Sequence, residues 1–424
     1  MRRRLIIGER IMYVDASTPL NCVFAVKLKG IITLSRLQKA LFKIQQKHPL
    51  LQSSIEENNE GVPYFVSNDE IEEIPVRIVS RSGNEDWQVQ SRKEWGKLFN
   101  DKNMPLARVV WIQGEEVSEI LLVCPHCVCD GSTFVTLMNE LLLLLDRPDT
   151  VLNRYLTFNS IEGLLGNPPG QSIMKLLRAK FFSALANVFF LLKTPRKPEP
   201  VGDNYFLHWK LDVETSQQLV QQCKQEKVTV HAALCLGFLR AFQKVRGKNA
   251  HGKVICPVDI RRFIPEIKAD MMFSFAPIAE LKLEKSKSLD LWMGAKKLKE
   301  ELNTKIAAMD VRDLLLMSEY FHSSAKKMVK FLLNTDGTHD LTLSNMGKLA
   351  IGEHYESFEI EAMYSPTVGF PWRNPNTLVV SSFKGVLDFT FLSNDSFLSR
   401  EDAVSIRDAA MNFLLTDSKK EQYA

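Results

Sequence analysis

The segment Cys124-Pro125-His126-Cys127-Val128-Cys129-Asp130-Gly131 sets a histidine four positions ahead of an Asp-Gly pair. His126 follows the apolar run Ile120 to Cys124, which reads as a buried strand. Asp130-Gly131 reads as a turn. After it, Phe134, Leu137, Met138, Leu141 and Leu145 recur at helical spacing on one face. A neutral imidazole fixed at the end of a core strand can take a proton from an alcohol or an amine as that group attacks an acyl carbon. A lone histidine is more often a hydrogen-bonded core residue, so the assignment depends on what surrounds it.

Two other chemistries share these residues. Cys124-Pro125-His126-Cys127 has the spacing of a dithiol–disulfide couple. Such couples place the first cysteine at a helix N-terminus, which lowers its pKa. Here Asp130-Gly131 separates Cys127 from the helix, and Asp130 opposes a thiolate. A metal site on Cys124, His126, Cys127 and Cys129 would crowd its donors too closely in sequence to surround a tetrahedral ion. Cys22, Cys223, Cys235 and Cys256 stand alone in apolar segments and read as core filler. The chain has no HExxH, GxxxxGK[ST], GxSxG or post-strand GxGxxG. No metal, nucleotide or flavin cofactor is therefore implied.

The positioning elements can be read from periodicity. Asn21–Lys29 alternates as a strand. Ser35 can cap a helix whose Leu37, Ala40, Leu41 and Ile44 share a face, and Pro49 stops it after Lys47-His48. Strands are expected at Leu106–Ile112 and Glu119–Cys124. Beyond residue 204, strands are expected at Tyr205–Leu211, Lys253–Val258, Leu341–Leu343, Phe358–Tyr364, Thr377–Phe383 and Val386–Leu392. Thr229 caps a central helix, Val230–Val245. Further helices are expected over Ser288–Ala308, Val311–Leu333 and Ser399–Leu415. Strands and helices mix without regular βαβ alternation, so the class is α/β with mixed sheets.

The chain has 424 residues, 45% apolar and 25% charged, with a net charge of +4. That supports two lobes with sizeable cores and argues against a nucleic-acid binder. Arg2-Arg3-Arg4 resembles the start of a secretory leader, but no apolar core follows it. The seven cysteines are an odd number. Reduced thiols and a cytoplasmic location are expected. Residues 1–165 form the expected N-terminal lobe, 166–204 a crossover, and 205–424 the C-terminal lobe. Asn167-Pro168-Pro169-Gly170 and the proline-rich, basic stretch Lys193 to Pro200 bracket a helix, Gln171–Leu192. Its second half is apolar almost all round. Burial between lobes or cover over a channel is the favoured expectation; peripheral membrane contact through 181–192 is the alternative.

Taken in order, these segments resemble the HxxxDG acyltransferase superfamily. It includes chloramphenicol acetyltransferase, nonribosomal-peptide condensation domains, polyketide-associated acyltransferases and alcohol O-acetyltransferases. Lys47-His48-Pro49-Leu50-Leu51 is similar to that family's RHPxLR-like helix end. His126 to Gly131 matches HxxxDG, and Thr229 to Phe242 resembles the central helix of the second lobe. Pro257-Val258-Asp259-Ile260-Arg261 matches PVDxR, and Ser344-Asn345-Met346-Gly347 matches SNxG. The resemblance covers nearly the whole chain. HxxxDG alone is a weak pattern; five segments in sequence are specific.

The resemblance implies two chloramphenicol-acetyltransferase-like lobes, each a mixed sheet with flanking helices, with a channel between them. His126 would be the general base midway along the channel. Asp130 would be structural, paired with Arg261, and Gly131 would allow the tight turn. Ser344 and Asn345 would contact substrate, with Asn345 a candidate oxyanion donor. His48 and His231 would be packing or surface residues. Two departures locate the branch. Pro125 replaces the first histidine of the HHxxxDG found in condensation domains, and Asp388-Phe389-Thr390-Phe391 does not match the plant-type DFGWG. Both favour a stand-alone alcohol acetyltransferase or polyketide-associated type.

The implied activity is acyl transfer from a thioester to a hydroxyl, or less favoured an amine. Acyl-coenzyme A is the favoured co-substrate, and Arg196, Lys197, Arg261, Arg262 and Lys268 are candidates to meet its phosphates. A carrier-protein-bound donor and a non-catalytic binding module are the alternatives. A monomer is expected.

Overall fold

The computed structural model describes residues 1–166, 173–194, 202–283 and 290–420. Among the described residues the chain forms two six-stranded mixed sheets and one small three-stranded sheet. In the first, Asn21–Lys29 is an inner strand, paired antiparallel with Val117–Pro125. Arg108–Gln113 and Val76–Ser80 extend it, the last two running parallel. Both faces of the central strands are covered, so residues from Cys22 to Val26 are buried irrespective of alternation. Helices Leu34–Lys47 and Gly131–Asp146 cover one face; Phe24 meets Phe134 edge-on at 6.2 Å. Asp86–Trp95 is a further helix of this lobe, and its Trp87 and Trp95 join the same apolar core.

The second sheet runs, in spatial order, Ile278–Lys282, Lys253–Pro257, Leu341–Lys348, Thr377–Phe383, Val386–Asn394 and Asn204–Lys210. Its core is organised by the helix Val230–Arg246, capped by Thr229, whose side chain accepts from the Ala232 amide. Leu234, Phe238 and Phe242 of that helix are buried in one cluster with Leu343, Phe389 and Leu414. The α/β class and the two mixed sheets agree with the sequence reading.

Several expectations need correction. The helix Leu34–Lys47 is capped by Thr33, not Ser35. Val311–Leu333 is not one helix: it divides into Val311–Ser318, a 3-10 turn Glu319–Ser324, and Ala325–Asn334. At the break, Glu319 turns its carboxylate to the Ile7 amide at 3.0 Å and to His322. That tertiary demand leaves no trace in periodicity. Leu341–Leu343 extends through Ser344-Asn345-Met346-Gly347 to Lys348, so the SNxG segment is a bulged strand rather than a turn after one. Arg2–Arg4 is a strand of the small sheet, and Arg3 is buried against Glu9 at 2.8 and 2.9 Å.

The C-terminal half is not self-contained in space. Glu359–Met363 and Thr367–Val368 leave the second lobe and pair with Asn21–Lys29, completing the first sheet. The crossover helix spans Ile173–Lys193. The expectation that its apolar half is buried is overturned, since Phe181 is 65% and Leu192 76% exposed. Asn167 to Gln171, Arg196 to Pro200 and Ser288 lie outside the described residues.

Candidate active site

His126 is the residue immediately after the strand Val117–Pro125, and its amide donates to the Leu20 carbonyl at 2.8 Å. The ring is half-buried and faces Phe370 at 6.0 Å between centroids. Phe370 comes from the C-terminal half. His126 Nδ1 lies 2.9 Å from the Cys129 carbonyl oxygen. A carbonyl only accepts, so Nδ1 carries the proton and Nε2 is the basic nitrogen. The chain therefore selects one tautomer of His126 through its own backbone.

Asp130 caps the next helix. Its Oδ1 accepts from the Thr133 amide at 2.9 Å and from Thr133 Oγ1 at 3.0 Å. Its Oδ2 meets Arg261 Nη1 at 2.5 Å. Arg261 also donates through Nη2 to Thr133 Oγ1 and to the Met271 carbonyl, both at 3.2 Å. Burial works against the guanidinium's charge, but Asp130 and Asp259 outweigh it and hold the pKa above its ordinary value. The HxxxDG loop is thus tied to a segment of the other half of the chain. Arg261 is committed to this pair, which removes it from the candidates for meeting phosphate.

Gly131 does not need glycine's conformational freedom, contrary to the expected tight turn. It is the first residue of its helix without a positive φ, and an added Cβ would meet Met346 Cε at an ordinary 3.5 Å. The contact brings Ser344-Asn345-Met346-Gly347 against the HxxxDG loop. Asn345 Oδ1 accepts from the Gly347 amide at 2.9 Å; Met346 is the unpaired bulge residue, and Gly347 follows it at φ +65°. Ser344 and Asn345 are half-buried.

The sequence reading missed two features. The first is Cys22. It lies opposite Cys124 across the two central strands and sits beside the His126 imidazole. Burial opposes charge on both groups, yet each favours the other's charged form. His126 is held up to about 9 by the adjacent Cys22 sulfur and by the Cys129 carbonyl to which its ring donates. Cys22 is brought down to about 6 by the adjacent Cys129 thiol and the charge of the His126 ring, against its own burial. A base works unprotonated, so raising its pKa moves activity to higher pH. Cys22→Ala removes the partner and leaves burial, which favours the neutral ring. The acidic limb of a kcat/KM–pH profile should then move down from about 9 by roughly one unit or more. An unchanged profile would show that the thiol does not act on the ring.

The second is the environment of His48. It is fully buried rather than a surface residue. His48 Nε2 lies 2.7 Å from Glu140, and its Nδ1 lies 3.1 Å from the Tyr155 hydroxyl, which accepts from the Met272 amide. Lys47 bridges Glu140 at 2.5 Å and Asp270 at 2.7 Å. The Lys-His-Pro segment therefore locks the early helix to the helix Gly131–Asp146 and to the stretch after Arg261. Buried, multiply bonded polar groups of this kind specify one arrangement of the two halves.

The cysteines separate in role. Cys127 is buried and its thiol is pushed well up by desolvation, the reverse of a reactive dithiol's needs. Cys235 and Cys256 do not stand alone: their sulfurs are 3.8 Å apart, with His231 Nε2 3.2 Å from Cys256. This trio lies in the second lobe. A cleft of about 260 Å³ opens behind the His126 loop, lined by Tyr13, Leu20, Phe99, Pro125 and Cys127.

No family model matches the sequence, and no curated protein matches it. Solved structures do match the fold. The trichothecene 15-O-acetyltransferase of Fusarium sporotrichioides superposes with a TM-score of 0.75 at 12% identity, over 98% of this chain and 95% of that one. Polyketide synthase associated protein 5 of Mycobacterium tuberculosis gives 0.71 at 16% identity, over 99% and 98%. The first condensation domain of the calcium-dependent antibiotic synthetase, solved with a substrate analogue, gives 0.69 at 14%, over 99% and 96%. With two mixed sheets, an interlobe strand exchange and end-to-end superposition on all three, this chain has the two-lobed condensation-domain and chloramphenicol-acetyltransferase-like fold.

Proposed function

We propose that the protein is an acyltransferase that moves an acyl group from a thioester to a hydroxyl or amine, with His126 as general base. One observation carries the reading. The Nδ1 bond to the Cys129 carbonyl makes Nε2 the proton acceptor, on a loop braced by the Asp130–Arg261 pair.

In the reaction, Nε2 takes the proton of the acceptor hydroxyl or amine as its oxygen or nitrogen attacks the thioester carbonyl. The tetrahedral intermediate collapses, the carbon–sulfur bond breaks, and the imidazolium returns the proton to the departing thiolate. One imidazole serves both half-steps, so no acyl-enzyme is required. A thioester is activated enough for this route; an ester or amide donor would need a nucleophile or a metal. Asn345 is assigned a place at the substrate, through its side-chain amide and the proximity of Met346 to Gly131.

Acyl-coenzyme A is the donor assigned here, with no resident cofactor and with an alcohol favoured over an amine as acceptor. Pro125 in place of the first histidine of condensation domains supports that choice. Single-turnover assays with matched acyl-coenzyme A and acyl-carrier-protein donors test it. Transfer should be faster from coenzyme A. A large preference for the carrier-bound donor would overturn the donor assignment and leave the proton chemistry of His126 standing. Absence of transfer from either, with tight binding of both, would favour a non-catalytic carrier-binding module.

A further inference from the structure

The helix Ile173–Lys193 is built inside out. Its packed side carries small and polar residues. Ser183 Oγ donates to the Tyr320 carbonyl at 2.8 Å, and Asn187 Nδ2 donates to Ser323 Oγ at 3.1 Å. Ala179 is buried beside them, and Phe190 meets Phe331 at 5.4 Å. The outward side carries the large apolar residues, with Phe181, Leu185, Val188 and Leu192 all more than half exposed. Nearly half of the large apolar side chains exposed among the described residues belong to this one helix. Contiguous exposed apolar surface on this scale marks an interaction site.

Its geometry selects the kind of partner. At ~100° per residue, the exposed apolar positions from Leu191 through Leu185 to Phe182 sweep about half the helix circumference. A partner helix needs a narrower seam. A fluid apolar medium covers a broad arc, and the hydrogen-bonded inner side keeps the helix flat against the body. Among the described residues no helix is long and apolar enough to cross a membrane, so the helix would lie in the interface plane. Its charge is one-sided. It contains Lys175, Arg178, Lys180 and Lys193 and no acidic residue. The adjoining helix Ala325–Asn334 adds exposed Lys326, Lys327 and Lys330, and Lys327 Nζ reaches Asn187 Oδ1 at 2.9 Å.

We infer that Ile173–Lys193 is an in-plane anchor for an anionic phospholipid surface. Phe181, Leu185, Val188 and Leu192 enter the acyl boundary, and Arg178, Lys180 and the lysines beside them meet the phosphate headgroups. This inference is independent of the acyl-transfer reading.

Co-sedimentation of the full chain with vesicles tests it. The protein should pellet with mixed phosphatidylcholine–phosphatidylglycerol vesicles far more than with phosphatidylcholine alone, and less as salt rises. Phe181→Glu/Leu185→Glu alters only exposed positions, so the melt should be unchanged while vesicle binding falls about tenfold or more. Arg178→Glu/Lys180→Glu should weaken binding to the anionic vesicles by about tenfold or more and flatten its salt dependence. Absence of vesicle binding, or equal binding by Phe181→Glu/Leu185→Glu, would overturn the inference. So would lipid-free self-association that this variant abolishes, since the face would then belong to a second copy of the chain.

Discussion

His126→Ala is expected to lower acyl transfer by ~10²–10⁴-fold with little change in thermal stability. The first half follows from the tautomer. With Nδ1 committed to the Cys129 carbonyl, Nε2 is the nitrogen that can take the acceptor's proton, and alanine offers no substitute. The second half follows from what holds the loop. Asp130 caps the next helix and pairs with Arg261, while the His126 amide is bonded to Leu20. None of these depends on the imidazole. The ring is half-buried, so its loss opens a space that water can enter. A large drop in activity together with a collapsed melt would assign His126 to the core instead.

Asp130→Ala should damage both stability and activity. The Arg261 side chain is 8% exposed and would keep only the longer 3.5 Å contact to the half-exposed Asp259. Breaking such a pair from one side costs ~3–5 kcal/mol, against roughly 1 kcal/mol for loss of an N-cap alone. The pair links the HxxxDG helix to the segment that also supplies Asp270 and Met272, so the loss should spread to the His48–Glu140 network. Urea unfolding of Asp130→Ala, Arg261→Ala and the double variant measures the coupling. The double variant should be much less destabilised than the sum of the singles, by ~1–3 kcal/mol. Strict additivity would mean that the two side chains act separately.

Much of this arrangement was legible in the sequence, for identifiable reasons. Asn21–Lys29 and Thr377–Phe383 are legible with their observed ends because each is an apolar run bounded by polar or glycine-containing turns. The helix after Asp130 was legible from the spacing of Phe134, Leu137, Met138 and Leu141. The pairing of Asp130 with Arg261 was not readable from spacing at all; it came from the resemblance of two distant motifs to one family. What stayed hidden depends on tertiary partners. Arg3 reads as a surface charge until Glu9 is seen beneath it. Glu359–Met363 reads as a strand of its own lobe, because nothing local says which sheet it joins. Cys22 reads as core filler, although pairing its strand with Val117–Pro125 would have placed it across from Cys124, next to the His126 loop. The helix Ile173–Lys193 is the opposite case: its apolar composition reads as burial, while its packing side is the one with Ser183 and Asn187.

The central claim is that Nε2 of His126 moves a proton during acyl transfer from a thioester. The most direct test is a rapid-quench single-turnover experiment on wild type beside His126→Ala, with acyl-coenzyme A and an alcohol acceptor, quantifying free thiol and acylated acceptor together. Wild type should release thiol and acylated acceptor in equal amounts with no burst of either. The folded His126→Ala protein should be at least ~10²-fold slower in both. Transfer by His126→Ala at close to the wild-type rate, or thiol released in wild type ahead of any acylated acceptor, would contradict that claim.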